Sequence, residues 1–356
     1  MATLRTIRLR IKGTKNIKQI TRAMEAVSAV KMRKSQSVAL MTRPYATAAL
    51  RLLRNLHAGA PEGSTMFSPF SEKREVHPHT DSSHSGNIVT DQTSTGIGVG
   101  VKNVLLIVVT SDKGLAGSFN ANVLKKAEIF IKQNTTTSVS EDGDTSPQLR
   151  REHEEKKNVI VATIGKKAGD YFSRRGRTPM ATFTGFGDYA ELAEVNPIFE
   201  AVMEAFTSKK VDEIYIIYTN FLSAMKQEVV LRKLLPFSEE GLEEMVKGIV
   251  PEKGRFAELD TKSGEVEPHR TEYLFEPSPS EIFNSILPAL LKIQLYHAIL
   301  EANASEHSSR MVAMRNATDN AGELIKSYTV SLNKARQSAI NKELAEITGG
   351  SEALTV

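Results

Sequence analysis

Three places in this chain carry residues whose types and spacing could do chemistry. The first is Thr110 to Asn120, TSDKGLAGSFN, just past the carboxyl end of an apolar run and at the opening of an amphipathic helix. Doubly wound α/β folds bind phosphates there, because the amides of the following helix point outward. Its glycines, Gly114 and Gly117, make neither GxGxxG nor the GxxxxGK[ST] phosphate loop. The segment therefore reads as a tight structural turn ahead of a nucleotide site. The GIGVG run at 96–100 precedes a strand instead of following one, and reads as linker.

The second is histidine. His77, His79 and His84 with Asp81 have the residue types of a metal site, but they lie in a stretch too poor in apolar residues to repay its own ordering. His297 and His307 fall on a helical seam and read as polar seam residues. No serine–histidine–acid set and no carboxylate pair stands out in a plausible pocket, so nothing argues for intrinsic catalysis, a cofactor or a metal.

The third is charge. The net charge of +4 hides an asymmetry: residues 1–34 carry Arg5, Arg8, Arg10, Lys12, Lys15, Lys18, Arg22, Lys31, Arg33 and Lys34 against the single acid Glu25. Such a run can be a solvated helix face. Its excess is larger than solubility needs, which favours an acidic partner: nucleic acid, lipid headgroups or a protein surface. No aromatic residue interleaves it for base stacking, and no base-reading module is present.

The elements that must position these residues follow from periodicity. Residues 3 to about 57 read as a helix with apolar or small residues at Leu4, Ile7, Ile11, Thr14, Ile17, Ile20, Met24 and Val27. Pro44 is expected to bend or interrupt it, and Gly13 suggests a close approach. Val104–Val109 (VLLIVV) is a strand buried on both faces. Further strands are expected at 159–164, 181–184 and 211–219, with helices at 118–132, 166–175 and 190–208 between them, and an added edge strand at 228–235. Alternating strands and helices mean an α/β, Rossmann-like domain with a largely parallel sheet.

The C-terminal helix opens on a capping box, Ser278, Pro279, Ser280 and Glu281, and Gly349 and Gly350 are expected to end it. Pro288 is expected to kink its start. From Ile286 its seam steps by four and three through Leu290, Ile293, His297, Leu300, Ala304, His307, Met311, Met314, Thr318, Ala321, Ile325, Tyr328, Leu332, Ala335 and Ala339. That is the heptad pattern of a helix facing a partner helix, on the order of 100 Å long at about 1.5 Å per residue. The expected fold is thus α/β plus a long antiparallel coiled coil made by the two ends. Its divisions are 1–57, a first shaft helix; 58–102, a flexible insertion; 103–237, the α/β domain with a flexible insertion at 134–157; 238–271, a further insertion; and 272–356, the second shaft helix. The chain has no cysteine, no signal-like start and no run of about 18 apolar residues, which together point to a cytoplasmic protein docked on something.

The stretches IKGTKNIKQITRAMEAVSAVKMRKSQ, TSDKGLAGSFN, YLFEPSPSEIF, ASEHSSRMVAMRNATDNAGELI and NKARQSAINKELAEITGG, in this order, resemble the γ subunits of F-type ATP synthases, of a bacterial kind. The likeness covers about residues 1–57, 103–133, 158–237 and 272–350. It implies a non-catalytic rotor: an antiparallel coiled coil inside a hexamer of α and β subunits, with the α/β domain at its foot against the ε subunit and the membrane ring of c subunits. It further implies β-subunit contacts at Met24, at Lys31, Arg33 and Lys34, and at Arg336 and Gln337. Membrane contact is then indirect, at the cytoplasmic face of an inner membrane, with no nucleic acid partner. The cysteine pair by which chloroplast members are redox-controlled is missing, so that switch cannot operate. Two rival readings stand beside this one: an α/β enzyme with helical arms for oligomerisation, and a basic coiled-coil nucleic-acid-binding protein.

Overall fold

A computed structural model describes residues 4–58, 102–135, 157–186, 191–236, 276 and 278–353. The three expected insertions lie almost wholly outside these residues, as do His77, His79, Asp81, His84 and the GIGVG run. The elements run α1 (Leu4–Ala58), β1 (Lys102–Val109), α2 (Phe119–Thr135), β2 (Lys157–Ile164), α3 (Lys166–Arg174), β3 (Ala181–Phe183), α4 (Asn196–Thr207), β4 (Glu213–Phe221), β5 (Gln227–Leu235) and α5 (Pro279–Ala353).

The five strands form one sheet in the order β3-β2-β1-β4-β5, parallel except for the edge strand β5, which runs antiparallel to β4. The middle strand β1 is buried from Val104 to Val109, as a continuous apolar run requires. Val104, Leu106 and Val108 pack on one face with Val123, Ala127 and Ile131 of α2 and Ala168 and Phe172 of α3. Alternation sends Leu105 and Ile107 to the other face. Right-handed crossovers bring α4 to that face, with Ile198, Val202 and Phe206 buried.

At the amino edge of the sheet, Lys157 Nζ donates to Glu213 at 2.9 Å and Lys233 lies 4.0 Å from the same carboxylate. Burial pushes the Glu213 carboxyl up. The Lys157 hydrogen bond and the charges of Lys157, Lys233 and Lys102 outweigh it and hold the group below the ordinary carboxylate value.

The chain divides into two compact units, one of Met1–Met32, Leu115–Gly117 and His307–Val356, the other of Arg33–Gly114 and Ser118–Glu306. The second holds the sheet. In it α5 starts at Pro279, where the Ser278 hydroxyl caps the Glu281 amide at 3.3 Å, and runs on through Pro288. From Leu290 to Glu306 the helix is covered nearly all round: Leu291, Leu295, Ala298, Ile299 and Leu300 are buried, while the expected seam residue Ile293 is only half-buried. A single stripe therefore does not describe this section, because the α/β body and not one partner helix surrounds it.

In the first unit α1 and α5 pair antiparallel. Thr21 and Thr318 hydroxyls meet at 2.7 Å, and Lys18 Nζ lies over Gly322. Here α5 keeps its four-three seam: His307, Met314, Thr318 and Ala321 are buried and Met311, Ile325, Tyr328, Leu332, Ala335 and Ala339 half-buried; exposed residues stand between them only past Met314, since Ser308 and Arg310 are buried too. On α1 the stripe corrects the apolar reading. After Thr14 it continues through Lys18, Thr21, Glu25, Ser28 and Met32, while Ile17, Ile20 and Val27 stand 53–60% exposed. Pairing with a heptad helix enforces a period of 3.5 residues, and that period outranks the apolarity of single positions.

Three smaller expectations also change. Helix α1 runs unbroken through Pro44, since one missing ladder bond does not stop a long helix. Helix α5 passes Gly349 and Gly350 and reaches Ala353, because glycine ends a helix only by turning left-handed, and neither does so here. Among the described residues nothing lies within 4 Å of a Cβ placed on Gly13, so none of them makes a close approach that requires it.

Candidate functional site

The turn from Thr110 to Asn120 is closed on itself. Asp112 accepts from the Lys166 amide at 2.8 Å and from the Gly185 amide at 2.9 Å, so one carboxylate caps α3 and ties down a second loop. The Thr110 hydroxyl accepts from the Ala168 amide, and the Asn120 side chain accepts from the Ser111 amide while donating to its hydroxyl. The side chains of the turn thus hold the Ser111 amide, the first amides of α3 and a second loop. A Cβ on Gly165, whose φ is +95°, would come within 2.1 Å of the Thr110 carbonyl oxygen. Among the described residues no group of three or more histidines or acids could hold a metal ion, and no helix is long and apolar enough to cross a membrane.

The helical pair offers a different kind of site, a surface with two unlike flanks. Arg5, Arg8, Lys12, Lys15 and Arg22 each follow a seam residue of α1 immediately, and all are exposed. Ile17, Ile20, Met24 and Val27 each precede one. Steps of plus and minus one residue are turns of about 100° to either side of the seam. One flank of α1 is therefore basic, and the other is apolar from Ile17 to Val27, with Arg10, Lys31 and Lys34 in phase with it at either end. The seam between them is lean, with Thr21 against Thr318 and small residues at Ser28 and Ala321. Each hydroxyl also reaches a carbonyl of its own helix, Thr318 that of Met314 at 2.8 Å and Thr21 that of Lys18 at 3.2 Å, so one hydroxyl donates to its helix and the other donates across the pair.

The residues singled out in the sequence separate on this frame. Met24 is half-buried on the apolar flank, and Lys31, also half-buried, precedes Met32 on the same side. Arg33 follows Met32, in phase with the basic flank; Lys34 precedes the buried Ser35, in phase with the apolar one, and both are exposed. Arg336 and Gln337 are exposed and far from these: counting back from the Thr21–Thr318 pair, Leu4 comes level with Ala335, so both stand beyond the described start of α1. The exposed positions of Ile340, Leu344 and Ile347 lie further along that same end. The apolar flank was missed in the sequence because its residues were assigned to the seam; the signal that finds it is the strict continuation of the four-three count past Thr14.

A family model described as ATP synthase matches residues 3–354. The ATP synthase gamma chain of Chloroflexus aurantiacus is 37% identical over 358 residues, covering 100% of both chains, and that of Nostoc punctiforme is 35% identical over 359 residues with the same coverage. The chain belongs to the ATP synthase gamma-chain family. In fold it is similar to a chain of the Euglena gracilis mitochondrial ATP synthase solved as an OSCP/F1/c-ring assembly, at a TM-score of 0.55 and 18% identity over 99% of this chain and 94% of that one. A second structure, of the rotor from the same organism, gives a TM-score of 0.52 at 16% identity over 95% and 98%. Membership accounts for the pairing of the terminal helices and for the mixed α/β sheet.

Proposed function

We propose that this chain is the central-stalk rotor subunit of a proton-translocating ATP synthase, turning inside a hexamer of α and β subunits and supplying no catalytic group itself. The observation that carries the reading is the two-flanked helix. A shaft that is basic on one side and apolar on the other presents a different surface to each subunit around it, so its angle can be read by its neighbours. The Thr110–Asn120 turn supports the non-catalytic part, since its Thr110, Asp112 and Asn120 side chains serve the fold.

In this reading the basic flank with Arg33 meets acidic segments of β, as do Lys31 and Lys34 at the end of the other flank, and Ile17, Ile20, Met24 and Val27 slide on apolar walls. Exposed ion pairs of this kind contribute about 1 kcal/mol or less each, which suits contacts that must be made and broken in turn. Arg336 and Gln337 hydrogen-bond a loop of β near the tip. The sheet-bearing unit lies against ε and the c ring, which places the chain at the periphery of a membrane, on the cytoplasmic face in a bacterium, without crossing it.

Affinity purification of the full chain from its native membrane tests this. One copy is expected against three α and three β; recovery without those partners sinks the proposal. Arg336→Ala is expected to weaken coupling between hydrolysis and proton pumping while the fold persists, and unchanged coupling removes the assignment of that contact.

A further inference from the structure

Kinases that modify serine or threonine read the charges along their substrate, and cations three and four residues before the hydroxyl suit those that read basic segments. Among the described residues two hydroxyls carry that pattern: Ser37, after Arg33 and Lys34, and Thr178, after Arg174 and Arg175. Thr178 also has Arg177 immediately before it and Pro179 after it. The structure separates the two. Ser37 lies inside α1, and its hydroxyl donates to the Lys34 carbonyl at 2.7 Å. Phosphoryl transfer needs the acceptor and its neighbours drawn into a cleft as an extended segment, so Ser37 is within reach only if that helix unwinds.

Thr178 stands in the loop between α3 and β3. Helix α3 ends where Gly176 turns left-handed at a φ of +73°, and the Gly176 and Arg177 amides donate to the Ser173 and Phe172 carbonyls. The chain is tied down again at the Met180 amide, which donates to the Val161 carbonyl at 2.7 Å. Between these anchors Thr178 and Pro179 belong to no helix or strand. Thr178 is exposed, and among the described residues its hydroxyl has no hydrogen-bond partner. Arg174 and Arg177 are exposed too, and neither makes an ion pair among the described residues. Arg175 is the engaged one: its Nη1 donates to Glu128 Oε1 at 2.6 Å, and its guanidinium lies 3.9 Å from the centre of the Tyr171 ring.

We propose that Thr178 is a phosphorylation site for a serine/threonine kinase that selects arginine before its acceptor. In the transfer Thr178 Oγ bonds the γ-phosphorus of ATP, the bond from that phosphorus to the bridging oxygen breaks, and ADP leaves. The hydroxyl proton passes to the kinase's own carboxylate base. The product carries a charge of about −1.5 to −2 on Thr178. Arg174, Arg175 and Arg177 supply the positive charge of this corner of the sheet-bearing unit, so the modification removes most of its excess. It also offers Arg175 a second anion in competition with Glu128, whose contact ties the end of α3 to α2. The inference stands apart from the rotor reading, since it needs only the accessible loop.

The test has two arms. In the first, the folded full-length chain is incubated with magnesium, ATP and the catalytic domain of an arginine-directed serine/threonine kinase, and the products are mapped by peptide mass spectrometry. Phosphate is expected at Thr178 and not at Ser37. Labelling should vanish in Thr178→Val and slow about tenfold or more in Arg174→Gln, the loss of one charge-assisted contact. A synthetic peptide of residues 172–181 gives the unfolded reference. A labelled peptide beside an unlabelled chain shows the loop closed to a kinase and overturns the site; labelling of neither overturns the reading of the arginines. Equal labelling of Ser37 and Thr178 in the folded chain overturns it as well, because the structure would then select nothing. The second arm is the chain isolated from its own cells, growing and starved, with phosphatases inhibited. Phosphothreonine at 178 in either state supports the site, and its absence from both overturns it.

Discussion

One helix, α5, lives in two environments. Up to about Met314 it is covered on nearly every side; beyond it the helix is covered along a single stripe, which meets α1 at Thr318 and Gly322. The four-three repeat runs through both sections without a slip, so periodicity alone does not separate them. The difference is in the residues off the stripe. Leu291, Leu295 and Ile299 are buried in the first section, whereas Leu324 and Val330 are exposed in the second. A seam reports that one partner exists. Only the composition of the other faces reports how many more there are.

The largest effect expected in the enclosing body is at its tightest corner. Gly165→Ala forces a Cβ into the Thr110 carbonyl at a φ of +95° and should cost about 3 kcal/mol or more, enough to lose cooperative unfolding of the sheet in a denaturant titration. The contrast along α5 is broken or sharpened by two truncations. Leu300→Ala, at a site with no exposure, should cost about 3 kcal/mol, while Leu332→Ala on the half-covered stripe should cost nearer 1 kcal/mol. Equal losses in thermal melts would show that the two sections are packed alike, against the comparison.

A middle-sized effect belongs to the Thr21–Thr318 contact. Thr21→Val or Thr318→Val alone should cost about 1 kcal/mol, because the remaining hydroxyl can still reach its own helix carbonyl. The double variant should be close to neutral, and a double-mutant cycle measures the difference. Acid stability gives another handle on the body. The Glu213 carboxyl is held low, so the stability it contributes is present above the ordinary carboxylate value and is lost as pH falls through its folded value. Glu213→Gln should therefore lower stability at neutral and alkaline pH and flatten the acid side of a stability–pH curve, converging with the parent at low pH. The smallest effect has the opposite sign: Gly13→Ala should stabilise α1 by about 0.5–1 kcal/mol in the isolated chain, since open space surrounds it. A gain in the isolated chain that becomes a loss in the assembled complex would locate a close neighbour on the apolar flank.

Much of the body was legible in the sequence. VLLIVV read as a strand covered on both faces, and the alternation of apolar runs with amphipathic segments pointed to a largely parallel sheet with an added edge strand; the strand order came only from the fold. Ser278 with Glu281 marked the start of α5 to the residue. The candidate surface was less legible. Ten cations in 34 residues announced a partner, but not that most of them share a flank. The stretch of α1 after Thr14 misled, because its isoleucines and valine match a helical period as well as its lean seam does; the choice between them was made by α5, whose threonine at 318 met Thr21 and fixed the phase.

Local rules thus settled which segments are helices and strands, where capping begins them, and that the two ends carry a heptad repeat, since those depend on neighbours a few residues apart. Tertiary structure alone decided which face of α1 turns inward, where α5 passes from one covered stripe to full enclosure, and that Asp112 of one loop caps the helix that begins at Lys166. Each of those depends on groups tens to hundreds of residues apart, whose meeting is set by the competition of whole surfaces for burial and is invisible to any window along the chain.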